Sequence, residues 1–169
     1  CGQLEPRALR LWNPNGLTVP ELEQQARQLK AQVVILDYLG LVQTPSTKQT
    51  EYERVTQISG DLKRMARRLN CVVLALCQLN RESVSPVCDS LPKLSQLRSS
   101  GALEQDADGV LLLHRNAPSD LQDPSQPQPF YIHVAKNRHG RTGTVELNWY
   151  PPVNRFEDRS GKWPVMSWR

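Results

Sequence analysis

The sequence has few of the features that mark secreted, membrane-spanning or zinc-binding proteins. Its four cysteines include no Cys-x-x-Cys pair, which argues against a disulfide framework or a zinc site and fits a reducing cytoplasm. The longest apolar runs are about six residues, far too short to span a membrane. No charged-then-apolar leader opens the chain, so we expect no secretory signal and a cytoplasmic protein.

A phosphate-binding loop is also missing. The chain contains no Gly-x-x-x-x-Gly-Lys-Ser/Thr motif, whose backbone N–H groups cradle phosphates in P-loop ATPases. The only Gly-Lys pair, Gly161-Lys162, is followed by Trp163 and lacks the upstream glycine. Because the sequence does not open with Met, we expect either a fragment or a processed product.

The composition that is present fits one domain of mildly basic character. A chain of 169 residues with 38% hydrophobic content can bury one modest core. The net charge is +4, and arginine has a planar fork that suits phosphate groups. A basic domain of this kind fits nucleic-acid contact without requiring it.

Apolar spacing in the first half predicts two helices and two strands. Thr18 followed by Glu21 predicts a capping box at the start of the first helix. The apolar runs 33–36 and 71–76 predict strands that are buried on both faces, and an amphipathic helix over 55–69 lies between them. Together these elements predict a βαβ unit of a parallel sheet.

The second half predicts further strands and two irregular segments. A third buried strand is expected over 110–113, and 130–135 should form a hairpin with 144–150. Several prolines make 115–129 a predicted mobile surface loop, and 159–169 a predicted tail. The fold class is therefore α/β, with a mostly parallel sheet flanked by helices and an antiparallel C-terminal hairpin.

A polar residue stands at the end of each predicted parallel strand. Asp37 and Gln78 stand at the carboxyl ends of these strands, where open α/β sheets bind ligands. An acid at this place could hold Mg²⁺, and an amide could contact a γ-phosphate. Equally, Asp37 could cap a turn and Gln78 could be a solvated turn residue.

Four segments stand in an order that resembles one protein family. They read VVILDYLGL, LALCQLNRE, LRSSGALEQDADGVLLLHR and AKNRHGRTGTVELNWYPPVNRFED. Over roughly residues 9–158 they resemble the C-terminal motor domain of the replicative hexameric DNA helicase (DnaB) family. The resemblance implies a partial RecA-like motor domain over residues 1–158, without the N-terminal part of that fold. It also implies ATP and Mg²⁺ as cofactors, and single-stranded DNA, a hexameric ring, primase and a helicase loader as partners.

The resemblance assigns nucleotide roles to four residues. Asp37 matches the magnesium-associated acid, and Gln78 matches the γ-phosphate sensor. Lys136 and Arg138 match a pair that reaches the nucleotide of a neighbouring subunit, where an arginine supplied in trans stabilises charge on the transferring phosphoryl group. The alternative for this pair is a solvated hairpin tip.

DNA contacts are implied at two further places. Arg98 and the backbone near Gly101 would contact phosphates of single-stranded DNA, although Ser99 stands where the family usually has Glu. The stretch 38–52 would form the other channel loop, with Lys48 as its one cation, which could contact DNA or be a solvated lysine.

The expected function is that of the C-terminal half of a helicase motor. Such a motor couples ATP hydrolysis to movement along single-stranded DNA and to duplex unwinding. The family's catalytic glutamate lies on a strand before the capping-box helix, where no strand is predicted here. We therefore expect the isolated chain to lack ATPase activity. The alternatives are a non-catalytic remnant that only binds DNA or assembles with partners, and a recombinase-type ATPase of the same fold.

Overall fold

A computed structural model describes most of the chain in two compact units. The units are Cys1–Cys77 and Gln78–Arg169. The described residues are 9–46, 48–79, 92–96, 100–115 and 126–159. Among the described helices, none combines the length and apolar character that a bilayer crossing requires.

The first unit alternates short strands with helices. Its elements are β1 (Leu17–Thr18), α1 (Val19–Gln28), β2 (Val33–Leu36), β3 (Val42–Gln43), α2 (Glu51–Leu69) and β4 (Val72–Ala75). β2 pairs with β4 in parallel, and β1 pairs with β3 in parallel. The predicted parallel unit is thus present, with α2 between its two strands.

Both helices of this unit begin at a capping box. The Glu21 carboxylate accepts hydrogen bonds from the Thr18 hydroxyl at 2.7 Å and the Thr18 N–H at 2.9 Å, which lower the pKa of Glu21. Glu53 accepts from the Thr50 N–H and hydroxyl in the same way, and its pKa is also lowered. The first box was predicted from the sequence. The second has the same Thr-x-x-Glu signature and was missed.

A strand does precede α1, contrary to the sequence-based expectation. β1 is two residues long and forms because Leu17 and Thr18 pair with Val42 and Gln43. A strand this short forms because of its distant partner, so its own sequence has no apolar run that would predict it. It carries no glutamate.

The buried side chains of the first unit come from both helices, from alternate residues of β2 and from the 39–42 segment that follows it. Val34 and Leu36 are buried, whereas Val33 and Ile35 are more than half exposed. The prediction that 33–36 is buried on both faces is therefore wrong, and the exposed Val72 and Leu74 of β4 show the same for 71–76. Successive side chains of a strand point to opposite faces, and only one face of this pair is covered within the described chain.

The second unit contains a short helix and a four-stranded antiparallel sheet. The helix is α3 (Ser100–Asp106), and the strands are β5 (Gly109–Arg115), β6 (Gln128–Asn137), β7 (Gly143–Tyr150) and β8 (Arg155–Asp158). Each strand pairs with the next along the chain. The predicted hairpin is the centre of this sheet, and β8 was not predicted.

Several predicted boundaries in this unit shift. Arg115 ends β5 and 128–129 begin β6, so the ends of the predicted loop 115–129 are strand; its residues 116–125 lie outside the described part. Leu112 is buried while Leu111 is exposed, so this strand is also covered on one face only. Of the predicted tail, Arg159 is described and forms an ion pair with Glu146.

Candidate functional site

Asp37 lies at the carboxyl end of β2, and its side chain is exposed. The backbone on either side of it is tied to the end of β4. Leu76 donates its N–H to the Leu36 carbonyl at 2.9 Å, and Leu39 donates its N–H to the Leu76 carbonyl at 2.8 Å. The Asp37–Tyr38 peptide is cis. Ligands of open α/β sheets bind at this end of the strands, so Asp37 is well placed for a ligand-binding role.

Gln78 is exposed and opens the second unit, whereas Asp37 belongs to the first. Along the chain it comes shortly after Leu76, the residue whose backbone is bonded to the end of β2. Gln78 therefore comes shortly after the second parallel strand, β4, as the sequence predicts.

The stretch 38–52, predicted as one channel loop, contains regular structure. A 3-10 turn spans Leu39–Leu41, β3 follows it, and α2 begins at Glu51. Leu39 and Val42 are fully buried, because they belong to the core of the first unit. Residues 44–46 and 48–50 are outside helices and strands, and Lys48 among them has an exposed side chain.

The segment around Lys48 is braced by polar side chains. Thr44 donates its hydroxyl hydrogen to the Gln49 side chain at 2.7 Å, and the Gln49 amide donates to Gln57 of α2 at 2.7 Å. Arg54 of α2 donates to the Val42 carbonyl at 2.6 Å. These contacts connect the loop to α2, so Lys48 projects from a supported segment.

The second predicted DNA contact is only partly described. Gly101 is exposed in the first turn of α3. Arg98 lies outside the described residues, so its predicted role stays a prediction.

Lys136 and Arg138 both contact the C-terminal end of α3. The Lys136 Nζ donates to the Glu104 carbonyl, and it also lies 3.4 Å from the Gln105 carbonyl. Arg138 donates from Nη2 to the Gln105 carbonyl at 3.1 Å and from Nη1 to Asp108 Oδ1 at 3.1 Å. The two cations therefore share one acceptor, the Gln105 carbonyl.

Lys136 and Arg138 bind at this place because the last carbonyls of a helix attract cations. The last carbonyls of an α-helix lack intrahelical partners and carry partial negative charge, which cations stabilise. The prediction that Lys136 lies in the hairpin turn is wrong, because Lys136 belongs to β6 and is half-buried. Both side chains are hydrogen-bonded in exposed contacts, so the trans nucleotide role and the alternative of a solvated hairpin tip both stay predictions.

Each of the two units has described side chains whose chemistry suits a part of a nucleotide ligand. A single exposed carboxylate suits Mg²⁺, which is usually held by one or two carboxylates together with phosphate and water oxygens. Paired Lys and Arg side chains on one hairpin suit phosphate oxygens. The sequence holds no phosphate-cradling loop, so neither group comes with the backbone N–H donors of a P-loop.

Comparison with known proteins gives relatives of one kind. The DnaB-like helicase C terminal domain model matches residues 1–158. The chain is 37% identical over 161 residues to the replicative DNA helicase DnaB of Leifsonia xyli subsp. xyli, covering 93% of this chain and 35% of that protein. It is 39% identical over 148 residues to the Mycobacterium leprae DnaB, covering 85% of this chain and 24% of that protein.

Solved structures agree with the sequence relatives. The ATPase domain of the protein named G40P is 37% identical with a TM-score of 0.75, covering 85% of this chain and 52% of that chain. A DnaB-like replicative helicase, solved for its interactions with primase, is 35% identical with a TM-score of 0.76, covering 87% of this chain and 37% of that chain. These likenesses confirm the predicted α/β, RecA-like fold class.

The matches cover most of this chain but only part of each relative. The chain spans 35% of the length of the Leifsonia xyli protein and 24% of the Mycobacterium leprae protein. The family model, by contrast, covers nearly the whole of this chain. The chain therefore belongs to the DnaB-like helicase C-terminal domain family.

Proposed function

We propose that this chain is the C-terminal half of a replicative helicase motor. In this role it couples ATP hydrolysis to movement along single-stranded DNA and to duplex unwinding. The observation that carries the proposal is the pair Lys136 and Arg138, which is held on one hairpin by the end of α3. Two cations held where strand β6 ends and the hairpin turn begins suit the phosphates of a nucleotide on an adjacent subunit.

The nucleotide roles divide between two sides of a subunit. Asp37 would hold Mg²⁺ beside the chain's own ATP, and Gln78 would contact its γ-phosphate. Lys136 and Arg138 would reach the ATP of the next subunit, because a closed hexameric ring repeats one heterologous interface around its axis. When bound, Mg²⁺ neutralises charge on the phosphates, and a trans arginine adds to this in the transition state.

The proposed DNA contacts are made by cations and backbone groups that would face the central channel of the ring. Arg98, the backbone near Gly101, and Lys48 would contact phosphates of the single strand. The exposure of Gly101 and Lys48 supports this arrangement. A relative of known structure interacts with primase, which supports primase as a partner. A helicase loader is a further proposed partner.

A hybrid helicase tests the proposal. In it, residues 9–158 replace the matching segment of the Leifsonia xyli DnaB, which is 37% identical. We expect ATP turnover stimulated by single-stranded DNA, together with unwinding. Asp37→Asn keeps the shape of the side chain and should abolish most of that turnover. A hybrid that forms rings and binds DNA without turning over ATP would favour the alternative, a non-catalytic remnant.

The isolated chain is expected to hydrolyse no ATP. It has no phosphate-cradling loop, so bound phosphates would lack the backbone donors on which P-loop chemistry depends. A steady-state ATPase assay on the pure chain checks this. Turnover above background that disappears in Asp37→Ala would show that the expectation is wrong.

In the hybrid, Arg98→Ala is expected to weaken single-strand binding about equally for all sequences. A lost phosphate contact should also lower the slope of log affinity against log salt by about 0.7, the single-strand value. Fluorescence anisotropy over a salt series measures both. Arg141→Ala, at an exposed arginine of the hairpin turn, is the matched control and should leave the slope unchanged. An unchanged slope in Arg98→Ala rings would rule out the phosphate role.

A further inference from the structure

We propose that Asp108 is a positioning residue, which together with the last turn of α3 aims Arg138 and Lys136 at the neighbouring nucleotide. The inference rests on the proposed function, and it names residues to which neither the sequence patterns nor the family resemblance gave a role. It would give the C-terminal end of α3 a role in ATP turnover, through Arg138 and Lys136.

Two separate contacts orient the guanidinium of Arg138. Its Nη1 donates to Asp108 Oδ1 and its Nη2 donates to the Gln105 carbonyl, both at 3.1 Å. Because a guanidinium is planar and rigid, contacts through both terminal nitrogens restrict its plane as well as its position. One contact alone would leave the group free to turn.

The same contacts leave donors for a ligand. A guanidinium has five N–H donors and an ammonium has three, and the contacts with α3 and Asp108 use two at each group. The Arg138 side chain is still 44% exposed. The end of α3 therefore orients the two cations without withdrawing them from a phosphate.

Charge also favours this arrangement. Lys136 and Arg138 repel each other, and the Asp108 carboxylate and the α3 carbonyls offset that repulsion. The backbone is tied independently, since the Arg138 N–H donates to the Asp108 carbonyl at 2.7 Å. Asp108→Asn should therefore loosen the Arg138 side chain while the turn keeps its path.

The same sheet offers a matched control. Arg159 and Glu146 form an ion pair at 3.2 Å with side chains 50% and 54% exposed. The corresponding values for Arg138 and Asp108 are 3.1 Å, 44% and 53%. Glu146→Gln therefore removes an equivalent carboxylate from a surface pair, so a general effect on folding should be alike in the two variants.

The first arm of the test is independent of nucleotide chemistry. In the 169-residue chain, ¹⁵N relaxation of the Arg138 guanidinium, assigned by its loss in Arg138→Lys, measures how firmly the side chain is held. In Asp108→Asn the order parameter should fall below about 0.6, into the flexible range. It should stay high in the parent chain and in Glu146→Gln. Equal order in all three proteins overturns the proposal.

The second arm uses the hybrid helicase. Asp108→Asn should lower kcat by roughly 10- to 100-fold with little change in KM, because misplacement of a trans cation affects the transition state more than ATP binding. Asp108→Glu keeps the carboxylate and should recover part of the loss. A loss of the same size in Glu146→Gln, or no loss in Asp108→Asn, overturns the proposal.

Mixed rings separate this inference from the proposed function. Asp108→Asn mixed with Asp37→Ala should regain activity, since some interfaces then have both sides intact. Asp108→Asn mixed with Arg138→Ala should regain none, since both changes damage the same side. Recovery in the second mixture overturns the positioning role. If Asp37→Ala and Arg138→Ala do not restore each other, the trans function itself fails, while the relaxation measurement still decides whether Asp108 orients Arg138.

Discussion

Arg138→Ala in the hybrid helicase is expected to cut ATP turnover by on the order of 10³-fold or more, the scale of a lost arginine finger. The fold should survive, because the loss of an exposed ion pair usually costs about 1 kcal/mol or less. Steady-state ATPase assays together with thermal unfolding measure the two effects separately. Arg141→Ala, at another exposed arginine of the same hairpin turn, should retain near-parental turnover.

Subunit mixing decides whether Arg138 acts across an interface. In rings that contain both Arg138→Ala and Asp37→Ala subunits, some interfaces join an intact Asp37 to an intact Arg138. Activity should therefore return in part, although each variant alone is nearly inactive. If activity stays absent while native mass spectrometry shows mixed rings, the two residues do not serve opposite sides of one interface.

The local features of this fold could be predicted from the sequence. The capping box of Thr18 and Glu21 and the period of α2 depend on residues three and four apart, so a short segment specifies them. The parallel pairing of β2 with β4 followed from two apolar runs separated by a helix. These elements were predicted because their causes are close in the chain.

Features with distant causes could not be predicted in this way. Asp108 lies 30 residues before its ion-pair partner Arg138, and no periodic pattern connects the two. β8 is a strand because Arg155–Asp158 pairs with β7, and its own sequence, RFED, has no apolar run. Likewise, a run such as VVIL predicts a strand but leaves open how many of its faces are covered.

In the candidate site, too, local patterns could be predicted from the sequence and distant contacts could not. Asp37 was predicted because an acid directly after a buried strand is a local pattern, and the structure places it at the carboxyl end of β2. The positions of Lys136 and Arg138 followed from the family resemblance, whereas their shared contact with α3 required the fold. The nucleotide and DNA roles of these residues stay predictions, which the substitutions above test.

Ile58→Ala in the isolated chain is expected to lower the free energy of unfolding by about 2 to 5 kcal/mol. Ile58 is 0% exposed in α2, so truncation removes buried methyl groups and leaves a cavity in the core of the first unit. Ile35→Ala is the matched control, because Ile35 lies on the open face of β2 and is 59% exposed. Its cost should stay within about 1 kcal/mol, the range of strand propensity.

Urea unfolding followed by helical circular dichroism measures both variants, since the two long helices, α1 and α2, belong to the first unit. The parent chain and both variants should give the same slope against urea, so that the midpoints report stability directly. A similar cost at Ile58 and Ile35 would mean that both faces of the β2–β4 pair are covered in solution. The original expectation of strands buried on both faces would then be right, and the one-sided packing described above would be wrong.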